Sequence, residues 1–294
     1  MDIVIALSPS LFFGAMALLI GYFGGGARQQ NFGVTVSAGL TSIIAFYLIG
    51  GSWSVRALGA GLAAGFLWTG AQFFQLRAFK AHGVSRTMPL STGIQLFINA
   101  LAGVVLFGEW NTLFALAVGV SSLLAITLGT MLSTWSEENL SGLSPARRRS
   151  GILNTIAAGT LFGLYPPIIR FFDVAAADGP GGMGVGLLIG GLVLGLSLPP
   201  SHPHDRILSW GTLKIASAGL MWTCANTLLL EGNERIGVAT GFALSQLGVV
   251  ISTFGGIALL GEQRTRKEMR ATVQGVTLVL VGGALLAVAK AHGN

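Results

Sequence analysis

The feature that most constrains this chain is where its few charges fall. Asp, Glu, Lys and Arg make up 10% of the 294 residues, against about 25% in an ordinary soluble domain. They leave ten long uncharged stretches, at 3–27, 29–55, 57–76, 87–108, 110–136, 150–169, 179–204, 215–230, 236–261 and 271–289. A bilayer core of about 30 Å takes about 20 residues of helix at about 1.5 Å each, so nearly every stretch is long enough to cross. The short stretch at 215–230 gains length from Ile207 to Leu213 if the Lys214 side chain reaches back to the headgroups.

Ten spans use up the chain and leave no room for a soluble domain. The expected fold class is therefore an all-α integral membrane protein, multi-pass in the cell's inner (plasma) membrane. Residues 1–22 lack a basic leading region and a small-residue cleavage site, so they read as a first span and not as a removed signal. Cys224 is the single cysteine, which excludes an internal disulfide and a cysteine-based metal centre. A net charge of +6 would suggest nucleic acid in a soluble protein. Here the bases have a topological role, and no nucleic-acid partner is expected. With loops numbered alternately, 13 of the 17 Lys and Arg fall on one side. The positive-inside rule makes that side cytoplasmic and places both termini outside.

The chain also resembles itself. Trp68-Thr69 is matched by Trp222-Thr223, Gly83-Val84 by Gly237-Val238 and Leu90-Ser91 by Leu244-Ser245, each 154 positions on. Gly108-Glu109 is matched by Gly261-Glu262 at 153, and Phe13-Gly14 by Phe162-Gly163 at 149. A paired Trp-Thr and a paired Gly-Glu in the same order are hard to obtain by chance. Two five-helix repeats follow, 1–136 and 150–294, joined by a cytoplasmic connector at 137–149 that carries Pro145 and three consecutive arginines. Five is odd, so the second repeat enters the membrane from the opposite face and the repeats are inverted. The 44 glycines, many at helical spacing such as Gly61 with Gly65 and Gly182 with Gly186, read first as surfaces for close helix packing.

No enzyme constellation is visible, no cofactor motif is present, and no metal site is expected. His82, His202, His204 and His292 lie at span ends or in loops, and His202-Pro203-His204-Asp205 reads as a solvated loop. What remains within the spans is neutral and polar, and such groups need partners in lipid. They cluster. The third span carries Trp68, Gln72 and Gln75, and the fourth carries Ser91, Thr92, Gln95 and Asn99. The second half answers with Trp222 and Asn226, then Ser245, Gln246 and Ser252. Ser91, Gln95 and Asn99 are spaced by four and form one helix face. Amides that donate and accept, beside an indole that stacks on a ring, suit a neutral polyol. Each such residue is equally readable as interhelical glue; the duplicated set favours a shared central cavity.

Pro89, Pro166 and Pro167 interrupt helical hydrogen bonding and are either tolerated kinks or hinges. Glu109 and Glu262, each closing a span after a glycine, are the candidate gate residues at opposite faces. No carboxylate falls near the middle of a span, so nothing in the residues points to proton or sodium coupling.

The runs at 83–95, 237–246, 250–256 and 261–269 resemble the glucose/ribose porter family of bacterial sugar uptake proteins, within the drug/metabolite transporter superfamily. The resemblance covers the whole chain. It implies ten-helix inverted-repeat carriers, with uptake of a neutral monosaccharide such as glucose or ribose, and with protons as the coupling ion. The cytoplasmic termini common in that wider superfamily conflict with the orientation from the charge count. Two other functions stay open: export of drugs or metabolites, and a non-transporting scaffold or subunit of a lipid-linked-sugar enzyme.

Overall fold

The structure, a computed structural model, describes residues 2–108, 110–135, 137, 144–200, 206–236 and 238–292. Its described residues form helices alone: α1 (Asp2–Phe23), α2 (Ala27–Leu48), α3 (Val55–His82), α4 (Val84–Phe107), α5 (Leu113–Thr134), α6 (Pro145–Phe171), α7 (Gly179–Ser197), α8 (Trp210–Ile236), α9 (Val238–Ser245), α10 (Gly248–Leu259) and α11 (Arg266–Ala291). Nine of these are long and apolar enough to cross a membrane. The stretch expected as a single ninth span is divided into α9 and α10, each too short alone, which together cover 238–259. At the division the amides of Leu247, Val249 and Val250 bond to carbonyls three residues back, so the helix tightens and turns there.

Local sequence sets the ends. Ser54, Thr112 and Ser144 each accept a hydrogen bond from the amide three residues on, at 3.0, 3.1 and 3.3 Å, and start α3, α5 and α6. The helices outrun the uncharged stretches because a Lys or Arg in the last turn sits at the headgroups. α3 runs on through Arg77 and Lys80, and α6 begins at Pro145, so Arg147, Arg148 and Arg149 belong to its first turns. Lys214 is exposed within α8, whose start at Trp210 supplies the expected extra length. Residues 138–143 of the connector lie outside the described residues.

Inside the bundle, backbones approach closely wherever glycine allows it. A Cβ on Gly61 would come 2.5 Å from the Gly182 backbone, and one on Gly65 would come 2.6 Å from the Met183 carbonyl, so α3 and α7 lie almost backbone to backbone. Dispersion at such contacts, not apolar burial, holds helices together in lipid. Large residues such as Leu48, Leu124, Leu128 and Met131 point outward, as a lipid-facing surface requires. α3 packs on α6 and α7, α1 on α8 and α10, α2 on α7 and α8, α4 on α6, and α5 on α11.

The prolines do not end their helices. Pro167 removes the amide that would bond to the Gly163 carbonyl, and Asn99 Nδ2 of α4 donates to that carbonyl at 2.9 Å instead. Pro9 similarly deprives the Ile5 carbonyl, and Ser8 Oγ donates to it at 2.7 Å.

Candidate functional site

At the centre of the bundle α1, α3, α4, α6, α8 and α9 surround a cavity of ≈ 70 Å³, room for a handful of waters. Its core is the tryptophan pair. Trp68 and Trp222 are buried with ring centroids 4.6 Å apart and planes tilted by 54°, and Phe162 packs on Trp68 at 5.6 Å. Gln72, Gln75 and Phe79 continue the Trp68 face of α3 along the wall, since residues three and four apart share one side of a helix. Gln95 and Met88 come from α4, Tyr165 from α6, and Gln246 from the turn that follows α9.

Two amides present unused groups there. Gln72 Nε2 is a buried donor without a partner. Gln75 donates through Nε2 to Met88 Sδ at 3.1 Å, which leaves its buried Oε1 an unpartnered acceptor. Trp222 Nε1 is a third unpartnered buried group and the second donor. A buried polar atom without a partner costs about 1–3 kcal/mol, so a ligand able to donate and accept at this wall recovers that penalty.

Of the residues singled out from sequence, Trp68, Gln72, Gln75, Gln95, Trp222 and Gln246 line the cavity. The others stand behind it. Ser91 accepts from Gln95 Nε2 at 3.0 Å, Ser245 accepts from Gln246 Nε2 at 3.3 Å, and Asn226 Oδ1 accepts from the Tyr165 hydroxyl at 3.4 Å. Asn99 donates through Nδ2 to the carbonyls of Gln95 and Gly163, while its buried Oδ1 has no partner. Ser252 bonds back to its own helix at the Gly248 and Val249 carbonyls, and Thr92 is buried away from the cavity lining. Sequence reasoning missed Phe13, Met16, Ile20, Phe79, Met88, Phe162, Tyr165 and Phe242 on the wall. Apolar side chains in an apolar protein carry no signal of which cavity they face. Tyr165 alone offered one, as a phenol among hydrocarbon.

Among the described residues Glu262 makes no ion pair. Its two oxygens accept from the amides of Val84 and Ser85 at 2.6 and 2.9 Å, which caps the positive end of α4. Gly83 makes this possible: its φ is +88°, and a Cβ there would lie 2.8 Å from Glu262 Oε2. Around it, Arg264 donates to Ser85 Oγ and to the Ser133 and Trp135 carbonyls. Arg86 reaches Glu268 at 3.5 Å, and Lys267 reaches Glu137 at 3.0 Å. Burial, helped by the neighbouring Arg86, pushes the Arg264 guanidinium down to about 10. Hydrogen bonds from Lys267 and Thr265 hold the Glu137 carboxyl below its usual range. The start of α4, the end of α5 and the 260–265 loop are thereby clasped at the basic end. Glu109, the other candidate gate residue, lies outside the described residues.

A second cavity, ≈ 490 Å³, opens at the opposite end between Pro166, Ile169, Arg170, Asp173, Leu230, Asn233 and Glu234, with Val174 to Ala176. Tyr165 faces the first cavity and Ile169 the second, one turn or about 6 Å apart along α6.

With this geometry in hand, comparison with known proteins assigns the family. The profile of the family described as Sugar transport protein matches residues 4–289. The chain belongs to that family. It is 34% identical to the glucose uptake protein GlcU of Bacillus subtilis, over 99% of this chain and 100% of that one. It is 39% identical to a Listeria monocytogenes protein provisionally named a sugar uptake protein, over 99% of each chain. A solved crystal structure shares the fold, with a TM-score of 0.63 at 17% identity over 99% of both chains. The family member described here is an all-α, multi-pass plasma-membrane protein.

Proposed function

We propose that this chain is a secondary carrier, not an enzyme, that takes up a neutral monosaccharide of the glucose or ribose class by alternating access. The observation that carries the reading is the central wall: a tilted tryptophan pair in contact, flanked by an unpartnered donor on Gln72 and an unpartnered acceptor on Gln75. A sugar hydroxyl can both donate and accept, and the apolar face of a pyranose suits an indole. Among the lining residues there is no charge, which suits a neutral solute. The names of the Bacillus and Listeria relatives point the same way.

Alternation is supported by the arrangement of the two cavities. The central one reaches Ile20 and Phe79, each within a turn of the basic end of its helix. Their counterparts by the offsets of 149 and 154 are Ile169 and Asn233, which line the cavity at the other end. Helix pairing follows the same exchange: α3 on α6 answers α1 on α8, and α3 on α7 answers α2 on α8. That pattern favours two five-helix repeats at 1–136 and 150–294 with the connector between them, the basic end in the cytoplasm, and Glu262 with Glu109 at the two gates. The pocket volume is smaller than a hexose needs, so the bundle must open by sliding on its glycine faces for sugar to pass.

Proton coupling enters through the family resemblance alone. Uptake of labelled glucose and ribose into proteoliposomes, with and without an imposed pH gradient, tests both points. Saturable uptake of one sugar is the expected outcome, and a gradient-dependent rate adds the proton; uptake of neither sugar overturns the reading. Export of an apolar metabolite is the second reading, favoured by Phe13, Met16, Ile20, Phe79 and Met88 on the same wall. Energised extrusion of an apolar dye from vesicles that take up no sugar would establish it.

A further inference from the structure

The two faces of α3 serve different surroundings. Trp68, Gln72, Gln75 and Phe79 share the face that lines the central cavity. At about 100° per residue, Phe73, Arg77 and Lys80 fall on the opposite side. There they meet Arg28 of α2 and Arg147 of α6 around a groove of ≈ 450 Å³, floored by Ala27, Ala81, Leu198 and Pro199. The groove lies at the basic end, where α2 and α6 begin and α3 and α7 end.

Three of the four cations are held at the groove by specific contacts. Arg28 Nε donates to the Gly195 carbonyl at 2.8 Å, and Arg147 Nη2 donates to the Lys80 carbonyl at 2.7 Å. Arg77 lies over the Phe73 ring at 5.8 Å. Among the described residues no carboxylate lines the groove. A simple excess of bases at one membrane face requires neither convergence nor an apolar floor, and Arg77, Lys80 and Arg147, converging on one groove, repel unless an anion sits among them.

We infer that this groove binds the phosphate of an anionic phospholipid headgroup, Arg77, Lys80 and Arg147 taking the charge and Phe73, Leu198 and Pro199 taking the glycerol and upper acyl chain. A dissolved phosphate gains nothing from the apolar floor. A lipid anchored in the bilayer arrives at this depth already, and each base near the surface adds about a fivefold preference for an anionic headgroup.

Thermal unfolding of the full chain in micelles doped with phosphatidylglycerol or phosphatidylcholine, without sugar, tests this separately from the carrier reading. Phosphatidylglycerol is expected to raise the midpoint saturably while phosphatidylcholine does not. Inorganic phosphate at matched concentration is expected to leave the midpoint unmoved. In the Arg77→Gln/Lys80→Gln double variant half-saturation should weaken about 25-fold. Should that variant fail to fold, Lys80→Gln alone, at an exposed side chain, should weaken it about fivefold. Equal midpoints in the two lipids, a phosphate shift matching that of phosphatidylglycerol, or unchanged half-saturation in the folded variant would overturn the inference.

Discussion

α4 and the α9–α10 segment carry the same Leu-Ser pair 154 positions apart, yet one runs straight and the other turns, and at one packing position they differ in side chain. On α4, Ile94 and Ile98 press onto Gly159 and Gly163 of α6: a Cβ on those glycines would come 2.8 and 2.6 Å from the isoleucine Cβ atoms. In the second half the position answering Ile94 is Gly248, which lies against the Ser10 carbonyl of α1 at 2.5 Å from a notional Cβ. The exchange is confined to that one position, because a Cβ on Gly14 of α1 would come 2.7 Å from the Ile251 Cβ of α10, much as Gly163 meets Ile98. α4 is continuous, while the α9–α10 segment turns at Gln246 and Leu247 just before its glycine. The polar groups differ too. Gln95 is answered by Val249 and Asn99 by Thr253, so the second half places its amide, Gln246, at the turn itself.

The most severe way to break this comparison is to give the second half the first half's bulk. Gly248→Leu drives a side chain into the backbone of α1 and should destabilise the protein by about 3 kcal/mol, the upper range for overpacking. Thermal unfolding in detergent measures it. A melting midpoint within a degree of the parent would show that α1 and α10 do not depend on close approach.

Asn99 distinguishes the two halves next. If it replaces the amide that Pro167 lacks, Asn99→Ala strands the Gly163 carbonyl and should cost about 1–3 kcal/mol. Restoring the backbone donor with Pro167→Ala should shrink that loss, so the double-mutant cycle reads the coupling directly. Additive effects would return Asn99 to the list of candidate ligand-binding groups.

The cavity amides sharpen the comparison at the level of transport. Gln95→Leu removes a lining amide from α4 and Gln246→Leu removes one from the turn; each should lower sugar uptake about tenfold, the worth of one good hydrogen bond. Both variants should still insert. A loss confined to Gln95→Leu would mean that the first half alone holds the sugar, and normal uptake in both would remove the amides from the site.

These contrasts also show what the sequence could reveal. Charges are expensive in hydrocarbon, so their gaps marked the spans, and a Trp-Gln-Gln face at helical spacing pointed at one wall of the cavity. The turn after α9 was hidden because Gly248 is explained only by α1, more than 230 positions earlier in the chain. Asn99 looked like a member of the Gln95 stripe for the same reason: its partner carbonyl is exposed by a proline on another helix. Apolar wall residues such as Phe13 and Phe242 were indistinguishable from core until the helices were placed.

The smallest effect belongs to the basic end, where α4 begins and the segment after α10 supplies its cap. Glu262→Gln leaves one oxygen for the Val84 and Ser85 amides to share and removes the negative charge from the helix terminus, a change of about 1 kcal/mol. Stability should fall by no more than that, because Arg264 still ties Ser85 to the end of α5. Transport is the more sensitive readout. If the clasp must open for sugar to pass, weakening it should raise the rate of exchange across proteoliposome membranes while leaving the midpoint of thermal unfolding within about a degree or two. An exchange rate unchanged beside a lowered midpoint would make Glu262 a helix cap with no part in the gate.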